Sequence, residues 1–272
     1  MIRIAVIQFT PVQGCKEHNL DVLGRMIELA DADIFVLPEL CTTGYFFLEK
    51  DDLADLAEDS SGPAARFFRK TAMLKKAFLI AGMAEQSGSS LFNSVFVFNP
   101  AGSEPLVYRK SHLFYKESLI FEPGDTGFPV LQSRVPDVSI GIMLCYDWRF
   151  PEAARVLALE GADIIACPSN LITDAWKKVM PARAIENKVY VAVANRAGAE
   201  SRNGEKLVFK GCSALYDPYG AVVLQGDAFA DAVLVAEIDP MITRDKSFNA
   251  YNDIFRDRRP EFYGRICRDL PS

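Results

Sequence analysis

Apolar and polar positions along this chain follow two alternating rhythms. Residues 2–9 open with Ile2, Ile4, Ala5, Val6 and Ile7, a β pattern with little polar interruption. Leu20, Leu23, Ile27 and Ala30 then recur at helical spacing and predict an amphipathic helix. A strand is predicted over 33–38, and Ser61 with Pro63 marks the start of a second helix near 63. Strands near 77–83 and 91–98 follow, and Asn99-Pro100-Ala101-Gly102 turns the chain into a strand over 104–109. The same order then recurs. Strand 138–144 leads to a helix that opens at Pro151 and stops near Gly161, where glycine can take the left-handed cap. Strand 163–168 precedes a helical region at 174–188, which Pro181 is expected to kink or restart. Strands 189–195 and 210–216 and the turn Asp217-Pro218-Tyr219-Gly220 complete the second pass.

Local sequence supports a duplication. Ala32-Asp33-Ile34-Phe35-Val36-Leu37-Pro38 matches Ala162-Asp163-Ile164-Ile165-Ala166-Cys167-Pro168, and the two Pro/Gly turns match in the same relative place. Helices between strands that alternate with hairpins predict an α/β fold. Its expected form is a four-layer α-β-β-α sandwich with internally duplicated halves. No Pro/Gly/Ser linker divides the halves, so 1–272 is read as a single domain. Residues 244–272 are rich in arginine but interleaved with acids, which suggests a packing or interface tail.

Composition narrows the function. Lys and Arg total 30 against 36 Asp and Glu, and a net charge of −6 argues against nucleic acid. No apolar run approaches the roughly 18 residues of a membrane span. The chain enters a strand directly from Met1, so a cytoplasmic, non-membrane protein is expected. The six cysteines have neither CxxC nor zinc spacing, and with only two histidines no metal site is expected.

The candidate chemistry lies at strand ends. Cys145 follows the apolar segment 138–144 and precedes Pro151, on the kind of turn where open α/β sheets carry their sites. A buried structural thiol is the competing reading. Glu39 follows Pro38, whereas Ser169 follows Pro168 in the second copy, so the scaffold does not require a carboxylate there. It is either a solvated strand-end residue or a working charge. Arg109 and Lys110 alternate across a strand, so one can face inward. A thiol with a pKa of about 8.5 needs a base, for which Glu39 is available, and Lys110 could stabilise an oxyanion with the Tyr146 N–H.

In its surroundings the trio Glu39, Lys110 and Cys145 resembles the Glu-Lys-Cys triad of the nitrilase superfamily of carbon–nitrogen hydrolases. The likeness extends through Arg109-Lys110-Ser111-His112-Leu113-Phe114, Glu122-Pro123-Gly124, Cys145-Tyr146-Asp147-Trp148-Arg149-Phe150-Pro151-Glu152 and Arg183-Ala184-Ile185-Glu186-Asn187. The resemblance implies an α-β-β-α sandwich, a thioester intermediate, no cofactor, and a homodimer or higher homo-oligomer. It also implies that Glu117 orients substrate or Lys110, that His112 supports the lysine region, and that Asn170 and Arg183 shape the site. Tyr45, Tyr146, Trp148 and Asn170 are the expected substrate-binding residues, within an aromatic set that includes Phe46, Phe47, Phe114, Tyr115, Phe121 and Trp176. Arg149 or Lys177 could meet a substrate carboxylate. A small amide is the expected substrate, with a small aliphatic nitrile or an N-carbamoyl amide as alternatives. A scaffold or binding protein that merely retains the triad is the non-enzyme alternative.

Overall fold

The structure is a computed structural model that describes residues 1–268. Residues 269–272, the end of the expected tail, lie outside the described residues. Strand β1 (Ile2–Gln8) divides its side chains between two cores, as strict alternation requires. Ile2, Ile4 and Val6 enter a core shared with the second sheet, while Ala5 and Ile7 meet helices on the outer face. The first half continues through α1 (Lys16–Glu28), β2 (Ile34–Val36), α2 (Asp51–Ala54) and α3 (Pro63–Lys75). Three strands complete it: β3 (Phe78–Ser87), β4 (Ser90–Phe98) and β5 (Leu106–Arg109). The second half runs β6 (Val130–Arg134), β7 (Asp137–Ile142), α4 (Pro151–Leu159), β8 (Ile164–Ser169), α5 (Trp176–Asn187) and β9 (Tyr190–Asn195). After it come β10 (Ala199–Arg202), β11 (Glu205–Val208), β12 (Ala214–Tyr216), β13 (Val222–Gln225) and β14 (Ala232–Ile238).

Two six-stranded sheets result, in the orders β14-β1-β2-β3-β4-β5 and β13-β12-β9-β8-β7-β6. In the first, β1, β2 and β3 are parallel and β4 and β5 antiparallel; in the second, β7, β8 and β9 are parallel and β12 and β13 antiparallel. An antiparallel strand, β14 or β6, flanks the first strand of each set. Helices α1 and α3 cover the outside of the first sheet and α4 and α5 the outside of the second, giving the α-β-β-α sandwich.

Individual atoms repeat as well. Asp33 accepts the Arg3 N–H (2.7 Å) and its own N–H bonds the Arg3 carbonyl (2.9 Å). Asp163 does the same with Ser139, at 2.9 and 2.8 Å. Helices α3, α4 and α5 each end on a left-handed residue, Lys76, Gly161 or Lys188, with a six-to-one hydrogen bond closing the last turn. Both Pro/Gly turns close as expected, Gly102 N–H on Asn99 O and Gly220 N–H on Asp217 O.

Several expectations are corrected. Pro181 does not interrupt α5, which runs through it at the cost of one backbone bond. Strand pairing in the segment 210–216 begins only at Ala214, because Cys212 takes a positive φ of 56°. Strands β6, β10, β11, β13 and β14 were not expected; β6, β13 and β14 are outer strands with mixed exposure, and β10 and β11 form a separate small hairpin. No helix among the described residues is long and apolar enough to cross a membrane.

Candidate active site

Three strands end at one place between the sheets. Glu39 lies three residues beyond β2, Lys110 directly after β5, and Cys145 three residues beyond β7. Gly82 on β3 makes the approach of Glu39 possible, since a Cβ there would stand 2.4 Å from the Glu39 Cα and 2.7 Å from the Pro38 carbonyl. Gly124 does the same for β5, where a Cβ would fall 2.0 Å from the Arg109 carbonyl oxygen. Alternation sends Arg109 outward to Glu85 (2.6 Å) and Asp125 (3.2 Å), while Lys110 turns inward and is 1% exposed.

Lys110 Nζ donates to Glu39 Oε1 at 2.6 Å and to Glu117 Oε1 at 2.7 Å. The Asn93 amide donates to the same Glu39 oxygen at 2.7 Å, and the Asn93 carbonyl accepts the Lys110 N–H. Glu39 Oε2 is buried and takes no hydrogen bond from the protein. Glu117, on a 3-10 turn at Tyr115–Leu119, accepts the Tyr45 phenol on Oε1 at 2.7 Å and the Phe114 N–H on Oε2 at 3.0 Å.

Charge follows from this geometry. Burial works against the Lys110 ammonium, but Glu117 and Glu39 outweigh it and hold the lysine protonated well above the ordinary range. Burial raises Glu117, against the pull of Lys110 and with a further push from Glu39. The Cys145 thiol is pushed well up, first by burial and then by Glu39, while Lys110 and the Asn170 backbone N–H oppose the rise. At rest it is therefore a neutral thiol that needs a base at the moment of attack.

Cys145 opens the 3-10 turn Cys145–Arg149 with φ at 44°, and buried Asp147 closes that turn. Asp147 accepts the Leu144 N–H at 2.8 Å and the Tyr108 phenol at 2.6 Å, and lies 2.8 Å from His112 Nδ1. His112 also stacks on Phe150, with ring centres 3.6 Å apart, so it supports the nucleophile turn and not Lys110 itself. The Arg183 guanidinium donates to the Trp148 carbonyl at 3.3 Å and holds the same turn from α5.

A cavity of about 230 Å³ opens over Cys145, lined by Phe114, Tyr146, Trp148, Arg149 and residues 170–173. The side-chain amide of Asn170 is buried there with neither oxygen nor nitrogen hydrogen-bonded to the protein. Of the expected binding residues, Tyr146, Trp148 and Asn170 line this cavity, and Tyr45 does not because its phenol is engaged by Glu117. Phe46, Phe47 and Phe121 belong to a separate apolar cluster, Trp176 is core, and Tyr115 is exposed. Lys177, which pairs with Asp174 at 2.9 Å, is not among the lining residues, whereas Arg149 is. Asn93, Gly82, Asp147 and Tyr108 escaped sequence reasoning. A polar residue and a glycine inside apolar strands were the available signals for the first two. Among the described residues no group of His, Cys, Asp and Glu could hold a metal ion.

A sandwich with a buried Cys-Glu-Lys cluster at its strand ends defines a class, the hydrolases of carbon–nitrogen bonds. The carbon–nitrogen hydrolase family model matches residues 3–246, and the chain belongs to that family, within the nitrilase superfamily. It is 40% identical to a nitrilase of Pyrococcus abyssi over 269 residues, covering 97% of this chain and 100% of the relative. A citrullinase of Francisella tularensis is 31% identical, with 98% of each chain covered. Among solved structures, a mutant of the amidase from Nesterenkonia sp. AN1, bearing acrylamide added at its active-site cysteine, is 27% identical. It superimposes with a TM-score of 0.82 over 98% of this chain and 100% of that one.

Proposed function

We propose that this carbon–nitrogen hydrolase cleaves a small amide through a thioester on Cys145. The observation that carries the reading is the buried thiol at the cavity wall beside a carboxylate, Glu39, with one oxygen that takes no hydrogen bond from the described residues. Glu39 Oε2 takes the thiol proton as sulfur attacks the amide carbon, and the oxyanion forms against Lys110 and the Tyr146 N–H. The carbon–nitrogen bond then breaks as Glu39 returns the proton to the departing amine, leaving ammonia and an acyl-thioester. Glu39 next deprotonates water, which cleaves the thioester, and the thiol regains its proton as the carboxylic acid leaves. Glu117 keeps Lys110 in place, and the unpartnered Asn170 amide supports a role in holding the polar end of the substrate.

A nitrile carbon can accept the same thiol, and the likeness to the Pyrococcus abyssi nitrilase favours that second reading. Ammonia release from propionamide, propionitrile and an N-carbamoyl amine, each at equal concentration, separates the readings. The Cys145→Ala variant is expected to release none, and ammonia at the parent rate from that variant would overturn the mechanism. Self-association through the tail is proposed because Phe248, Tyr251 and Phe262 are 80%, 93% and 70% exposed. A monomer by light scattering at micromolar concentration would overturn it.

A further inference from the structure

The β10–β11 hairpin supplies no residue to the lining of the Cys145 cavity. Its entry nevertheless carries a deeply buried ion pair, Arg196 (1% exposed) with Glu200 (6% exposed). Arg196 also donates to the Pro11 carbonyl at 3.3 Å and lies over the Phe209 ring at 4.1 Å. Neutralising Arg196 occupies only part of the Glu200 carboxylate. Oε2 also accepts the backbone N–H of Phe46 at 2.6 Å and, at 3.1 Å, that of Tyr45. Gly44 leaves the space for this, since a Cβ there would stand 2.9 Å from Glu200 Oε1. The segment so gripped is the one whose phenol donates to Glu117 Oε1, the oxygen that also receives Lys110. A buried ion pair is poor value as a stabiliser, because desolvation offsets the attraction. A carboxylate aimed at two successive N–H groups is instead suited to fixing where a side chain points.

We propose that the Arg196–Glu200 pair is a positioning device for the hydrolytic site, acting through Tyr45 on Glu117 and thereby on Lys110. The inference rests on the reading of Lys110 and Glu117 given above. Its test is a double-mutant cycle on amide hydrolysis with the near-isosteric Glu200→Gln and Tyr45→Phe. Each single change is expected to lower kcat about tenfold with KM for propionamide nearly unchanged. The double variant is expected to be no slower than Tyr45→Phe alone, because Glu200 acts only by aiming the phenol that Tyr45→Phe removes. Glu200→Asp should recover part of the loss. Losses that multiply in the double variant, or a parental kcat in Tyr45→Phe, would overturn the proposal. Should Glu200→Gln not fold, Arg196→Lys takes its place in the same cycle, with the same outcomes. Cys145→Ala separates the two levels: if it is inactive while Tyr45→Phe is fully active, only the positioning role falls. If Cys145→Ala still releases ammonia, the thioester reading falls instead.

Discussion

Cys145 sits in the left-handed region at φ 44°, a conformation that costs a non-glycine residue of order 1–3 kcal/mol. Its neighbours must impose it, and Asp147 is the neighbour that can, since one oxygen receives both Leu144 N–H and the Tyr108 phenol. Asp147→Ala strands two buried donors at once, so unfolding in urea should show a loss of about 2–4 kcal/mol. A loss below half a kilocalorie would mean that the turn holds itself. The titration of Cys145 gives a second expectation. Burial and then Glu39 raise the thiol well above its ordinary range, so the neutral form persists to higher pH. Replacing the base, as in Glu39→Gln, leaves burial in force. Alkylation by iodoacetamide in that variant should be slow at pH 7 and still climbing at about pH 9.5. A plateau below pH 8 would contradict the direction of the shift. Cys145, Glu39 and Lys110 each end a hydrophobic run, which made them candidates, but only the resemblance to the nitrilase superfamily joined them into one expected site. Asp147 was not, although it stood in the same segment, because its main partner Tyr108 is 39 positions away.

At the scale of elements, what the site needs is close approach of backbones, and Gly82 is where that approach is tightest. Adding a Cβ would press it against the backbone of Pro38 and Glu39, which cannot rotate away as a side chain could. Gly82→Ala is therefore expected to displace Glu39 and to lower amide hydrolysis about 100-fold, as misplacement by an ångström can. Activity within threefold of the parent would show that β2 and β3 can separate without harm. The hairpin β10–β11 makes a sharp internal comparison. Its outer residue Glu205 meets Lys116 and Tyr115 at the surface, whereas Glu200 works in the interior. Glu205→Ala should leave kcat within about twofold, because solvated pairs contribute little. The long parallel strands were readable from uninterrupted apolar runs. The hairpin was not, since in Ala199–Arg202 and Glu205–Val208 the positions are exposed or half-buried except for a charged residue, Glu200, and the strands owe their place to contacts with loops far off in sequence.

For the whole molecule, duplication explains the scaffold and departures from it locate the special features. Glu39 against Ser169 is one such departure, and the C-terminal segment is another. Asp33 and Asp163 occupy the same place in the two repeats and make the same pair of backbone bonds. Only Asp163 gained further partners: it accepts the Thr243 hydroxyl at 2.6 Å and faces the Arg244 guanidinium at 3.3 Å. Those contacts fasten the chain after β14, the last strand of the first sheet, onto the first strands of the second. One aspartate thus ties the two halves together, while its counterpart, partly exposed, ties only β1 to the turn before β2. Asp163→Ala should cost about 2–4 kcal/mol, since it leaves the half-buried Ser139 N–H without an acceptor and the buried Thr243 hydroxyl with one acceptor fewer. Asp33→Ala should cost about 1 kcal/mol, the worth of a single hydrogen bond near solvent. Urea unfolding of the two variants measures the difference. Hydrogen exchange at residues 241–244 should accelerate only in Asp163→Ala, and equal losses without that acceleration would mean that the halves are joined by their apolar interface alone.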